Sequence, residues 1–132
     1  MAAKQVICDT DVMIDYLDRI NARYLTTKAT LEEIGLDNIF ISAVTKMELI
    51  CGAINKTELA KIIKNIGRFN VIPVDATITY KTISLVQTYS LSHTLSIPDG
   101  FIAATSIESG LELFTYNTKD CKFIPGIKLF KY

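Results

Sequence analysis

Carboxylates are the polar residues of this chain best placed to act on a substrate. Asp9 follows the apolar run Val6–Cys8 and precedes the amphipathic stretch Val12–Leu17. Glu48 lies within Ser42–Gly52, and Asp99 follows Pro98 at the head of the apolar segment Phe101–Ala104. Asp120 ends the polar segment Tyr116–Asp120, which also holds Asn117 and follows the run Leu111–Thr115. Several carboxylates gathered at one edge repel one another and raise each other's pKa values unless a cation neutralises them. A hard divalent ion with oxygen ligands answers that need: Mg2+ or Mn2+, keeping several waters and taking phosphate oxygens from a substrate. Such an ion generates a hydroxide nucleophile and stabilises charge on the phosphate under attack, so the implied reaction is phosphodiester hydrolysis.

Each acid also has a structural use. Asp9 can cap the helix that follows, a task Thr10 or Asp11 fills equally well. On a helical wheel Val44, Met47 and Cys51 share a face and Glu48 lies beside Val44, which predicts a carboxylate turned inward. A buried charge needs a partner or a metal, and no Lys or Arg stands at 44, 51 or 52. Asp99 suits a helix N-terminus, where free amides and the dipole favour an anion by about 0.3–1 kcal/mol. Asn117 and Asp120 are also ordinary turn formers.

Other chemistries find little support. There is no G-x-x-x-x-G-K-[ST] and no G-x-S-x-G, and the single histidine, His93, has no convincing nucleophile beside it. Cys8, Cys51 and Cys121 are odd in number and far apart, which predicts free thiols in a reducing compartment. With one histidine they do not make a closed zinc site. Net charge is zero, so attraction to nucleic acid must come from local patches. One such patch is Lys61, Lys64 and Arg68, spaced for one helix face, which either touches phosphates or is simply solvated. Met1–Thr10 has no uninterrupted apolar stretch, and no run approaches the roughly 18 residues of a spanning helix. The expectation is a cytoplasmic protein without membrane contact. A hydrophobic share of 49% and a mean hydropathy of +0.28 suggest that a partner covers some apolar surface.

The elements that must position these acids are legible as an alternation. Gln5–Cys8, Asn38–Ile41, Asn70–Val74 and Leu111–Thr115 have strand length and β-branched composition, and helical stretches separate them. That alternation predicts an α/β fold with a mostly parallel sheet in a single domain spanning 1–132. Gly126–Phe130 reads as a short final edge strand. Ser42, Thr57 and Asp75 are candidate helix caps, and Ser96 to Gly110 reads as a helix with Pro98 in its first turn and Gly110 as its stop. In open parallel sheets, ligands gather outside the carboxyl ends of the strands, which is where Asp9 stands.

Together these segments resemble a PIN domain. Ile7–Asp15 is similar to the family's opening strand and first metal-site aspartate, with Asp11 where the family often carries Asn or Ser. Ser42–Gly52 matches the helix bearing its glutamate, Ile97–Ala104 the segment bearing its third acid, and Leu113–Asp120 the strand and loop bearing its fourth position, filled by Asn117 or Asp120. The resemblance spans nearly the whole chain in the right order. It implies a three-layer α/β/α fold with a sheet of about five strands, Mg2+- or Mn2+-dependent endoribonuclease activity, and a homodimer. It also implies a cognate antitoxin that blocks the acidic site, as in the toxin half of a VapBC pair. In that role Asp9 and Asp99 hold metal directly, Glu48 holds metal or orients the attacking water, and Thr115 and Asn117 support them. Asp120 is a further candidate catalytic acid, and RNA is the expected substrate.

Two rivals are weaker. A haloacid dehalogenase-type phosphatase would use Asp9 as nucleophile and Asp11 as acid/base, but it leaves Glu48 idle and lacks a later acidic pair. A PIN-like binding module without chemistry would have no need of Asp9, Glu48 and Asp99 together.

Overall fold

The strands Val6–Cys8, Ile39–Ser42 and most of Glu112–Phe114 are short, mainly apolar and buried, the usual condition of a parallel sheet covered by helices, whereas the edge strand Asn70–Ile72 is largely exposed. A computed structural model describes residues 4–132. The first three residues of the Met1–Thr10 stretch lie outside the described residues. The order is β1 (Val6–Cys8), α1 (Thr10–Leu17), α2 (Tyr24–Ile34), β2 (Ile39–Ser42), α3 (Ala43–Cys51), α4 (Lys56–Ile66), β3 (Asn70–Ile72), α5 (Ala76–His93), α6 (Ile97–Ser109) and β4 (Glu112–Phe114). One parallel sheet of four strands runs β3-β2-β1-β4.

Alternation along the strands sorts the core into two clusters, one on each face of the sheet. Val6 and Cys8 of β1, Ile39 and Ile41 of β2, and Phe114 of β4 pack with Val12 and Met13 of α1, Leu31 of α2 and Ile66 of α4. Ile7 of β1 and Leu113 of β4 pack with Leu85 of α5, Ile102 and Ala103 of α6, and the loop residue Ile124. The result is the expected three-layer α/β/α arrangement. Each such buried Ile, Leu or Phe contributes about 1.5–3 kcal/mol relative to leaving it in water.

The caps explain where several helices begin. Ser42 accepts from the Val44 amide at 3.1 Å, Asp75 from Ile78 at 2.8 Å, and Ser96 from Asp99 at 3.3 Å. Gly110 ends α6 at φ 72°, a left-handed conformation that glycine adopts without strain. The α4 cap is Asn55, accepting from the Glu58 amide at 2.8 Å, rather than Thr57. β2 begins one residue later than expected, because Leu36–Asn38 closes into a 3-10 turn. β3 stops at Ile72, ahead of Pro73, which has no N–H for the ladder. The segment expected as a fifth strand forms one isolated bridge, Leu113 to Leu129. It rests against β4 through Leu113 N to Lys128 O at 2.7 Å and Phe130 N to Leu113 O at 2.9 Å.

Candidate active site

Sheet order places the site. From β1 the chain steps to β2 and β3 on one side, then crosses through α5 and α6 to β4 on the other side of β1. The direction of winding therefore reverses between β1 and β4, and the crevice outside their carboxyl ends is where such sheets bind ligands. Asp9 leaves β1 at that point, and Thr115, Tyr116 and Asn117 leave β4 beside it. The first turn of α6 carries Asp99 to the same place. Asp9, Asp99, Asn117 and Asp120 line one cleft there, floored by Ile102, Ala103, Leu113 and Cys121.

Asp9 is held closely. Its backbone N–H continues the β1–β4 ladder by donating to Phe114 O at 2.8 Å. Its carboxylate caps α1 by accepting from the Thr10 amide at 2.7 Å, and accepts from Thr115 Oγ1 at 2.8 Å. Thr115, 1% exposed, in turn accepts from the Asn117 amide at 3.0 Å. Burial first, then the charge of Asp11 and more weakly that of Asp99, raise the Asp9 pKa to about 7 against those two hydrogen bonds. The Cys121 thiol in the floor is pushed up to about 12 by burial first and then by the charges of Asp9, Asp120, Asp11 and Asp99.

Glu48 stands elsewhere than the wheel placed it. The buried side chains of α3 are Thr45 and Leu49, whereas Met47 is 55% exposed and Cys51 and Glu48 are exposed as well. In a nine-residue helix that packs against α1, α4 and α6, apolar residues occur on almost every side, so no single stripe marks the inner face. Glu48 does not line the Asp9–Asp99 cleft. It borders a neighbouring groove between α1, α3 and α4, and is tied to the site's edge by Thr10 Oγ1, which donates to Glu48 Oε1 at 2.7 Å. Lys61 and Lys64 line that groove too, while Arg68 lies beyond the end of α4 and apart from it.

Three further features lie outside the site residues that the PIN-domain resemblance implies. Asp11 accepts from the Val12 amide at 2.7 Å and the Tyr116 amide at 3.0 Å, and burial raises its pKa despite them. Its position two residues after Asp9 is the one signal that marks it. Thr10 and Thr45 share a hydrogen bond at 3.0 Å. Arg23 pairs with buried Asp15, Nε to Oδ2 at 2.7 Å, and lies over the Tyr116 ring at 4.2 Å, bracing the loop after β4. Nothing in local sequence links Arg23 to Tyr116.

The donor set fits a hard cation. The polar groups of the cleft are mainly the carboxylates of Asp9, Asp99 and Asp120 and the Asn117 amide, oxygen donors of the kind such an ion takes. Among the described residues, no three acidic, cysteine or histidine side chains already form a cage. Mg2+ needs none, since it commonly takes one or two carboxylates together with waters and substrate phosphate oxygens.

No curated protein matches the sequence. The structure is similar to a toxin–antitoxin complex from Klebsiella pneumoniae, at 31% identity and a TM-score of 0.74, covering 93% of this chain and 95% of that one. It is also similar to a DNA-bound VapBC from Salmonella typhimurium (23%, TM-score 0.78, covering 96% and 97%). A third likeness is to VapC20 of Mycobacterium tuberculosis, a sarcin–ricin loop cleaving toxin (12%, TM-score 0.74, covering 90% and 95%). These last two, below 25% identity, speak for the fold alone. The family model for the PIN domain matches residues 6–123, which takes in all four strands, all six helices and every acid of the cleft, and the chain belongs to the PIN-domain family.

Proposed function

We propose that the chain is a divalent-metal-dependent endoribonuclease and the toxin partner of an antitoxin. The observation that carries this reading is the gathering of Asp9, Asp99 and Asp120 in one cleft at the point where the sheet reverses its winding. Likeness to the Klebsiella toxin–antitoxin complex supports the partner. Asp9 and Asp99 would hold Mg2+ or Mn2+, with Asn117, Asp120 and Glu48 available to its water shell, and Thr115 keeps the Asp9 carboxylate aimed into the cleft. The ion supplies Lewis acidity toward a phosphate and a water of lowered pKa. The protein's own part is orientation: the β1–β4 ladder, the Thr10 amide and the Thr115 hydroxyl leave Asp9 little freedom to turn away.

Lys61 and Lys64, exposed in the groove that Glu48 borders, are placed to meet an RNA backbone leading toward the cleft. Arg68, past the helix end, would meet only a longer strand. The antitoxin and a second copy of the chain would cover apolar side chains that are now exposed. These include Ile14, Met47 and Ile63 near the groove and Tyr80, Ile83 and Leu91 on α5. The phosphatase reading fares worse, because Asp11 is occupied with the Val12 and Tyr116 amides and does not line the cleft.

The test is incubation of the purified chain with total cellular RNA in Mg2+, Mn2+ or EDTA, alongside folded Asp9→Asn and Asp99→Asn variants. Metal-dependent cuts at discrete sites, reduced at least about 100-fold in each variant, are expected for loss of a charge-stabilising group. Equal behaviour of wild type and variants would end the nuclease reading.

A further inference from the structure

Thr10 serves both acids on its side of the site. Its backbone N–H donates to Asp9 Oδ1 at 2.7 Å, and its hydroxyl donates to Glu48 Oε1 at 2.7 Å. A carboxylate only accepts, so the single hydroxyl hydrogen of Thr10 is committed to Glu48. The 3.0 Å contact between Thr10 Oγ1 and Thr45 Oγ1 then has one direction: Thr45 donates and Thr10 accepts. Thr45 is 0% exposed in the core-facing side of α3, where a hydroxyl without a partner is costly and a valine of the same shape is not. The hydroxyl's use is therefore to feed Thr10.

From this chain we infer that Thr45 is a positioning residue, which orients the Thr10 hydroxyl and through it the carboxylate of exposed Glu48. The inference rests on the nuclease reading above and deepens it. Glu48 is solvent-exposed on α3 while Asp9 is anchored in the sheet, so without a tether the glutamate would sample rotamers away from the ion. A buried donor behind Thr10 removes the hydroxyl's freedom to turn and fixes the distance between the two acids. Groups that orient a metal site's ligands in this way are commonly worth 10–100-fold in metal affinity or activity.

The test uses Thr45→Val, which keeps the shape and removes the donor, and Thr45→Ser, which keeps the donor. Thr45→Ala serves in place of the valine variant if that one does not fold, as judged by thermal melting. Mn2+ binding is measured by calorimetry without RNA, and cleavage is followed at varied Mn2+ and varied RNA. The expected result for Thr45→Val is Mn2+ binding weakened about 10–100-fold. Its RNA KM should be unchanged, and Thr45→Ser should stay within about twofold of wild type. In a double-mutant cycle, Thr45→Val should have little further effect once Glu48 is alanine. Wild-type Mn2+ binding and cleavage in Thr45→Val would overturn the inference and leave the nuclease reading standing. A wild-type chain that neither binds Mn2+ nor cuts RNA would overturn both.

Discussion

Replacing Asp9 with asparagine should stabilise the metal-free protein while abolishing its chemistry. Burial, Asp11 and Asp99 raise the Asp9 pKa from 3.8 to about 7. An acid raised in the folded state favours folding when protonated. That contribution is therefore complete below about pH 4 and is lost as the pH climbs to about 7. At about 1.4 kcal/mol per pH unit, carrying the ionised form at neutral pH costs the fold at most about 4 kcal/mol. Asp9 keeps part of its surface in water, and screening brings the expected figure to about 1–2 kcal/mol. Asparagine removes the charge, still accepts from the Thr10 amide, and can donate to Thr115 Oγ1. In EDTA at pH 7.5 the variant should therefore melt about 3–8 °C above wild type. The gap should close near pH 4. Saturating Mg2+ should reverse the order, since an ion at about 100 times its Kd adds about 2.7 kcal/mol to the protein that binds it. Thermal melts across pH 4–8 make the comparison. A variant less stable than wild type at pH 7.5 without metal, or an advantage that persists unchanged at pH 4, would refute the account of Asp9 as an uncompensated buried charge.

Two further outcomes follow from packing and exposure. At Gly100 a Cβ would stand 3.0 Å from Val86 Cγ2 and 3.3 Å from Thr82 Cγ2, so α6 packs on α5 through the bare backbone. Gly100→Ala should lose about 1–2 kcal/mol in urea unfolding, the overpacking outweighing alanine's helix propensity; an unchanged midpoint would show that α5 yields freely. Iodoacetamide should label Cys51, the exposed thiol, and spare buried Cys8 and Cys121 in the folded protein. A second label found by mass spectrometry under native conditions would contradict that burial.

The local grammar of this chain lies open in its sequence. Strand-length apolar runs alternating with helices point to a parallel α/β sheet, because the central strands of such a sheet are covered by helices on both faces. Ser42, Asp75, Ser96 and Gly110 mark helix ends through backbone groups within a few residues of themselves. Asp9 and Asp99 were legible for the same reason: a strand's carboxyl end and a helix's first turn are local positions, and the fold brings them together. Tertiary structure decided what local periodicity leaves open. The side of α3 that turns inward depends on α1, α4 and α6 surrounding it, so Thr45 rather than Val44 or Met47 went into the core and Glu48 went to the surface. The final segment stayed a single bridge because β4 offers it only Leu113 in register. The Asp9–Thr115 hydrogen bond, the Thr45–Thr10–Glu48 chain and the Arg23 brace on Tyr116 join residues from 35 to over 100 positions apart. They form only once the sheet and its covering helices have brought those distant segments side by side.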